Sequence, residues 1–205
     1  MTDRHQTASR ELLAVVGRAL QAGLRAVQLR EKDLATRDLY DLGGKLLALT
    51  REVGAALLIN DRVDVAMALA ADGVHLTRRS LPPKEARDLL GPAKLIGISC
   101  HSVAEVREAA DEKVDFVVLG PIFETPSKAQ FGPPLSTSVL RMARATTSLP
   151  LLAIGGIHAG RISEVIAAGA DGVSVISAVM AAQDPGAAAA NFLAAWRRER
   201  RQPGN

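Results

Sequence analysis

One phrase recurs four times along this chain and limits what it can fold into. "QAGLRAVQLRE" (Gln21–Glu31), "LAADGVHLT" (Leu69–Thr77), "EKVDFVVLGPI" (Glu112–Ile122) and "AAGADGVSVIS" (Ala167–Ser177) share one grammar. An Ala-rich helical stretch ends, a Gly or Asp makes the turn, and a short run rich in β-branched residues follows. Two further runs, "KLIGISCH" and "LPLLAIGGI", read as strands entered through Pro92 or Pro150. With "AALLIN" the predicted strands are Ala26–Arg30, Ala55–Asn60, Gly73–Thr77, Leu95–His101, Phe116–Ile122, Leu151–Gly155 and Gly172–Ser177. Helical patterns fall at Arg10–Gln21, Leu39–Glu52, Val63–Ala70, Lys84–Leu90, Val103–Ala110, Ser138–Ala145, Ile162–Ala168 and Ala187–Arg197. Such alternation implies right-handed βαβ units and a parallel sheet.

Eight such strands close a (β/α)8 TIM barrel, and this chain offers seven. It opens "MTDRHQT", polar within two residues. The expectation is a TIM barrel whose first strand is shortened to a stub in residues 1–6, or missing because the assigned start is late. The alternative is an open doubly wound sheet. Glycine-rich exits from the last two units, "AIGGIHAGRI" and "GVSVISAVM", favour the barrel, where such exits build a phosphate cradle from backbone N–H groups. The 205 residues suit a single domain over 1–205, with 198–205 as a flexible tail. Aromatics make up only 3%. The core is therefore Ala, Val, Leu and Ile, as suits helices packed on a parallel sheet.

Several function classes are disfavoured. The net charge of +3 gathers in the tail "WRRERRQPGN", which reads as the solvated end of a last helix. No aromatic residues interleave with basic ones elsewhere, so no nucleic-acid platform is expected. The single cysteine, Cys100, excludes an internal disulfide and points to the cytoplasm. No run approaches the ~20 apolar residues of a membrane span, and no membrane partner is expected. Homo-oligomerisation is left open.

In a barrel the chemistry lies at the C-terminal ends of the strands. The exit "VQLREKD" alternates Gln28, Arg30 and Lys32, which share a face if the run stays extended. Two cations and an amide at the rim call for an anion. In the competing reading these cations pair with Glu31, Asp33 or Asp61. The next exit carries Asn60 and Asp61. "GISCHS" carries Ser99, Cys100 and His101, and the loop "GPIFETPSKAQFGPP" carries Thr125, Ser127 and Lys128. Long loops of this kind close over ligands or are simply solvated. Cys100 and His101 are adjacent in one strand, face opposite ways and form no dyad. The sum is an anion site with one carboxylate, Asp61. An aspartate beside a polyphosphate suits Mg²⁺, which takes one or two carboxylates plus phosphate oxygens and water.

"VQLREKD", "LLINDRVDVAMALAADGVHL", "GISCHS", "LGPIFETPSK" and "AIGGI...AGADGVSVIS" together resemble thiamine phosphate synthases in order and spacing. The resemblance covers about Thr2 to Ala182. Thiazole tautomerases are near relatives. The resemblance implies a transferase that joins hydroxymethylpyrimidine diphosphate to a thiazole phosphate and releases pyrophosphate. It implies that Gln28, Arg30, Lys32 and Asn60 hold the pyrimidine diphosphate and that Asp61 binds Mg²⁺. Ser99 would contact the pyrimidine or its diphosphate. Thr125 and Ser127 would face the thiazole phosphate, with Lys128 on the diphosphate. Gly156, Ile176 and Ser177 would form the second phosphate cradle. Arg30, Lys32, Ser99 and Lys128 would carry the catalysis, ionising the diphosphate by charge stabilisation rather than by acid–base chemistry.

The chain also departs from the family's pattern. The second acidic Mg²⁺ position should follow "GVHL", where this chain has "TRRS", with Ser80 at that place. Either Asp61 and diphosphate oxygens hold the metal while an arginine takes up part of the neutralisation, or the chain is a tautomerase-like or non-catalytic phosphate-binding relative. The tautomerases carry a histidine where Pro121 stands here, which favours the synthase. His75 reads as a core histidine with its bonds satisfied.

Overall fold

The computed structural model describes residues 1–125 and 132–201. Seven strands form one parallel sheet in sequential order: β1 (Ala26–Leu29), β2 (Ala56–Asn60), β3 (Gly73–Leu76), β4 (Leu95–Cys100), β5 (Phe116–Leu119), β6 (Leu151–Ile154) and β7 (Gly172–Ser174). The helices are α1 (Leu12–Gln21), α2 (Thr36–Glu52), α3 (Val63–Leu69), α4 (Pro83–Leu90), α5 (Val103–Ala110), α6 (Ser136–Arg144), α7 (Ile162–Ala167), α8 (Ser177–Met180) and α9 (Pro185–Arg201). The short α8 was not expected from the sequence. No described helix is long and apolar enough to cross a membrane.

Each strand has two faces with different jobs. Val27, Leu29, Leu57, Ile59, Val74, Leu76, Ile96, Ile98, Val117 and Leu119 are buried under the helices. Burying each such side chain contributes about 1.5–3 kcal/mol. The alternate residues face the barrel interior. Gly97 leaves room there for Phe116, whose ring would lie 2.1 Å from a Cβ at that position. Parity thus fixes which residues reach the mouth.

The recurring phrase has a physical cause at the opposite end. Asp72, Asp115 and Asp171 each precede a strand and reach back to the strand before it. Their Oδ2 atoms accept the N–H of Leu57 (2.7 Å), Ile96 (2.6 Å) and Leu151 (3.0 Å). Each bond satisfies a backbone donor near the start of a strand that the ladder leaves over. In the first copy of the phrase Arg25 stands at the aspartate's place, and its Nη1 donates to the Val53 carbonyl (2.9 Å). That copy has no full strand before it to serve.

The seam between β7 and β1 is bridged by two residues. The Met1 amine donates to Val175 O (3.2 Å), and Thr2 N–H donates to Gln28 O (2.8 Å). Thr2 Oγ1 accepts from Arg30 N–H (2.9 Å). Arg4–Gln6 then form a 3-10 turn. The barrel is therefore seven strands plus this bridge. Beside the bridge lies a cavity of about 160 Å³, lined by Val27, Leu58, Phe116, Leu152 and Val173 among others.

Candidate active site

Four polar side chains share the inward face near the strand exits. Gln28 Nε2 donates to Asn60 Oδ1 (3.0 Å), joining β1 to β2. His75 Nε2 lies 2.8 Å from Ser99 Oγ, joining β3 to β4. Asn60 and His75 are partners in register, so the two pairs adjoin. Burial pushes the His75 imidazole down to about 4, helped by the charges of the Met1 amine and Arg30. The ring is therefore neutral near pH 7.

Arg30 follows directly on β1, and among the described residues its guanidinium pairs with no carboxylate. The carboxylates beside it are taken. Arg4 binds both oxygens of Asp33 (2.6 and 2.7 Å) and also reaches Glu31 (3.3 Å), while His5 Nε2 lies 2.9 Å from Asp33. Arg4 first, then His5, hold Asp33 well below the usual carboxylate range. Of the competing reading, in which Arg30 and Lys32 pair with Glu31, Asp33 or Asp61, the part that concerns Arg30 is not what the fold does among the described residues.

Asp61 follows β2 with φ +68°, an uncommon conformation for a residue other than glycine. Its N–H donates to His75 O (2.8 Å), and its carbonyl accepts Val63 N–H (3.1 Å) at the start of α3. Asp61, Arg79 and Ser80 line one groove of about 410 Å³. Ser80 Oγ accepts Thr77 N–H (2.8 Å) and lies 3.0 Å from Thr77 Oγ1, which pins the turn. The two arginines divide: Arg78 pairs away from the groove with Glu108 and Glu105, whereas Arg79 lines it.

The exits of β6 and β7 supply backbone donors. Gly155 (φ +98°) and Gly156 (φ +63°) follow β6, and beyond β7 Ile176 caps α8 and Ser177 begins it. Among the described residues none accepts from the N–H groups of Gly156, Ile157, Ile176 or Ser177. Four donors on neighbouring exits without an acceptor among the described residues suit an anion. The glycines have a steric cause as well. A Cβ would stand 2.6 Å from Pro121 at Gly155 and 2.4 Å from Glu124 O at Gly156. Thr125 precedes the undescribed stretch, and Ser127 and Lys128 lie outside the described residues.

Cys100 and His101 face apart, as alternation requires. Cys100 is buried, and burial pushes its thiol up to about 12. His101 Nδ1 lies 2.7 Å from Gly120 O. The residue the sequence reading undervalued is His75. Its Nδ1 is buried with no partner, so it is not a satisfied core histidine. Parity held the signal, since His75 alternates with the outward-facing Val74 and Leu76.

Known proteins agree with this architecture. A family model described as thiamine monophosphate synthase matches residues 1–179. A thiamine-phosphate synthase of Roseiflexus sp. is 45% identical over 188 residues, covering 92% of this chain and 80% of that protein. One of Moorella thermoacetica is 47% identical over 180 residues, covering 88% and 86%. The solved thiamine phosphate pyrophosphorylase from Pyrococcus furiosus superposes with a TM-score of 0.87 at 36% identity, covering 96% and 93%. Likeness of this extent, over nearly the whole length, makes the chain a member of the thiamine monophosphate synthase family.

Proposed function

We propose that the barrel mouth divides the family's reaction between two halves, with the pyrimidine diphosphate on the β1–β4 exits and the thiazole phosphate on the β5–β7 exits. The chain is a transferase that condenses hydroxymethylpyrimidine diphosphate with a thiazole phosphate, giving thiamine phosphate and pyrophosphate. The bond from the pyrimidine methylene to the diphosphate oxygen breaks, and the thiazole nitrogen bonds to that carbon. Little proton traffic is needed. Charge on the departing pyrophosphate must be held, and the two rings must be kept in line.

The inward residues suit these tasks. With Gln28 Nε2 committed to Asn60, the Gln28 oxygen and the Asn60 NH₂ are left for the pyrimidine. Arg30 and Lys32 receive the diphosphate, joined by Lys128 from the loop, and Ser99 offers its hydroxyl at the reacting end. Thr125, Ser127 and the N–H groups around Gly156, Ile176 and Ser177 receive the thiazole phosphate. The carrying observation is the adjoining Gln28–Asn60 and His75–Ser99 pairs beside the Arg30 guanidinium, which has no carboxylate partner among the described residues.

The donor set fits Mg²⁺ only in company with substrate. Among the described residues no cluster of three His, Cys, Asp or Glu exists to hold an ion. Asp61 and Asp64 both line an open groove with Ser80 and Arg79, but Asp64 is held by Arg62 (2.9 Å), which leaves Asp61 as the carboxylate for an ion. One carboxylate plus diphosphate oxygens and water is an arrangement Mg²⁺ accepts. The ion would neutralise charge on the diphosphate, and Asp61 would hold it, with Arg79 taking the remaining share.

The test is to supply both substrates, with and without Mg²⁺, and assay thiamine phosphate and pyrophosphate. Equimolar formation of both is expected. Isomerisation of a thiazole carboxylate phosphate without condensation would overturn the reading.

A further inference from the structure

Arg161 ends the 3-10 turn Ala159–Arg161 after β6. Its Nη1 donates to Gly156 O at 2.7 Å, and its guanidinium carbon stands 4.3 Å from the centre of the Phe123 ring. No carboxylate among the described residues pairs with it. The charge is directed at a carbonyl and a π-face instead.

Those two contacts join segments already pressed together. Ile122 N–H donates to Ile154 O (2.9 Å), and Phe123 N–H donates to Gly155 O (3.1 Å). Residues 121–124 leave no room for a Cβ at Gly155 or Gly156. One freedom remains, the tilt of the peptide between Gly156 and Ile157, and glycine permits several. In a planar trans peptide the C=O and the following N–H point opposite ways. Holding Gly156 O toward Arg161 therefore turns Ile157 N–H to the other side. That N–H has no described acceptor, although Ile157 is only 5% exposed.

We propose that Arg161 is a positioning residue for the phosphate monoester of the second substrate. It fixes the Gly156–Ile157 peptide so that backbone N–H groups are already aimed when the phosphate arrives. The guanidinium acts through the peptide, and the Phe123 ring holds it from one side. The inference rests on the placement of the thiazole phosphate at the β6–β7 exits.

The test is steady-state kinetics on Arg161→Gln, Arg161→Lys, Phe123→Leu and Gly156→Ala, with both substrates varied. Arg161→Gln is expected to raise KM for the thiazole phosphate about tenfold, the scale of one charge-assisted hydrogen bond. KM for the pyrimidine diphosphate should stay unchanged. Arg161→Lys, which keeps a cationic donor, should recover most of the loss, as should added guanidinium ion on Arg161→Gln. Phe123→Leu should shift the same constant a few-fold, and it decides the matter alone if Arg161→Gln does not fold. Equal shifts in both constants, or none, would overturn the proposal. If Gly156→Ala raises the thiazole constant while Arg161→Gln and Phe123→Leu do not, only the brace is wrong. If Gly156→Ala leaves it untouched as well, the site assignment itself fails.

Discussion

His75 Nε2 meets Ser99 Oγ at 2.8 Å, while His75 Nδ1 is buried without a partner. The pair of facts selects a tautomer. If the proton sat on Nδ1, a buried N–H would go unbonded, which is rarer and costlier than an unfilled lone pair. The proton therefore sits on Nε2 and donates to Ser99 Oγ. The Ser99 hydroxyl keeps its own proton for another acceptor, which under the proposed placement is the diphosphate end of the pyrimidine substrate.

The neutral, buried imidazole makes stability depend on pH. The folded value of about 4 lies below the ordinary 6.5. Between the two, the unfolded chain binds the proton more readily, so folding stability is full above about pH 6.5 and falls as pH drops toward 4. The full loss is on the order of 3 kcal/mol. Urea unfolding at steps from pH 7.5 to 4.5 should show the decline in the native protein. In His75→Gln, which does not titrate there, that part of the decline should vanish. An identical decline in both proteins would sink the assignment.

Ser99→Ala removes the hydroxyl that His75 orients. Losing one donor to the developing pyrophosphate charge should cost about a hundredfold in kcat. The melting temperature should fall as well, because the buried His75 Nε2–H loses its acceptor at a cost of about 1–3 kcal/mol, although the ring keeps its packing against Phe116, with centroids 5.8 Å apart. The kcat is therefore read below the variant's unfolding transition. Activity within twofold of native would show that Ser99 does not touch the reacting group.

How far the sequence carried the reading depends on the length scale of each signal. Strand alternation put Gln28, Asn60 and Ser99 on one face, because a period of two survives any detail of packing. It equally separated Cys100 from His101. Signals of single residues were harder to read. The aspartates of the recurring phrase looked like turn formers, whereas Asp72, Asp115 and Asp171 bond to the preceding strand. Nothing local announces a partner fifteen to twenty residues back. Strand β5 stops at Leu119 rather than Ile122, since Gly120 and Pro121 follow. Strand β7 stops at Ser174, since on one side it meets only the Met1 amine. The splitting of Arg78 from Arg79 depended on Glu105 and Glu108 of α5, which no inspection of "TRRS" reveals.

The groove beyond Asp61 gives a metal prediction. Asp61→Ala should weaken Mg²⁺ activation at least tenfold, read as the Mg²⁺ concentration for half-maximal turnover. Ser80→Asp adds a carboxylate beside Asp61 in the same groove, where Asp64 is already held by Arg62, and should lower that concentration, since added ligand charge raises cation affinity. Calorimetry of pyrophosphate binding with and without Mg²⁺ reads the same effect apart from turnover. An unchanged Mg²⁺ requirement in Asp61→Ala would remove Asp61 from the metal site.

The aspartates at the strand starts separate folding from chemistry. Asp115 Oδ2 accepts Ile96 N–H at 2.6 Å and pairs with Arg87 at 2.6 Å, at the end of the barrel opposite the mouth. Asp115→Ala strands the N–H of a fully buried residue, which costs about 1–3 kcal/mol. Arg87 keeps its bonds to the Gly91, Lys94 and Lys113 carbonyls, which limits the damage. The urea midpoint should therefore fall while kcat and both KM values hold, as expected of a residue far from the strand exits. Arg25 supplies the converse. Arg25→Asp restores the residue type of the phrase, but no full strand precedes β1 to use it, so it should bring no stability. A gain there would mean that the bond to the preceding strand is not what the aspartates contribute.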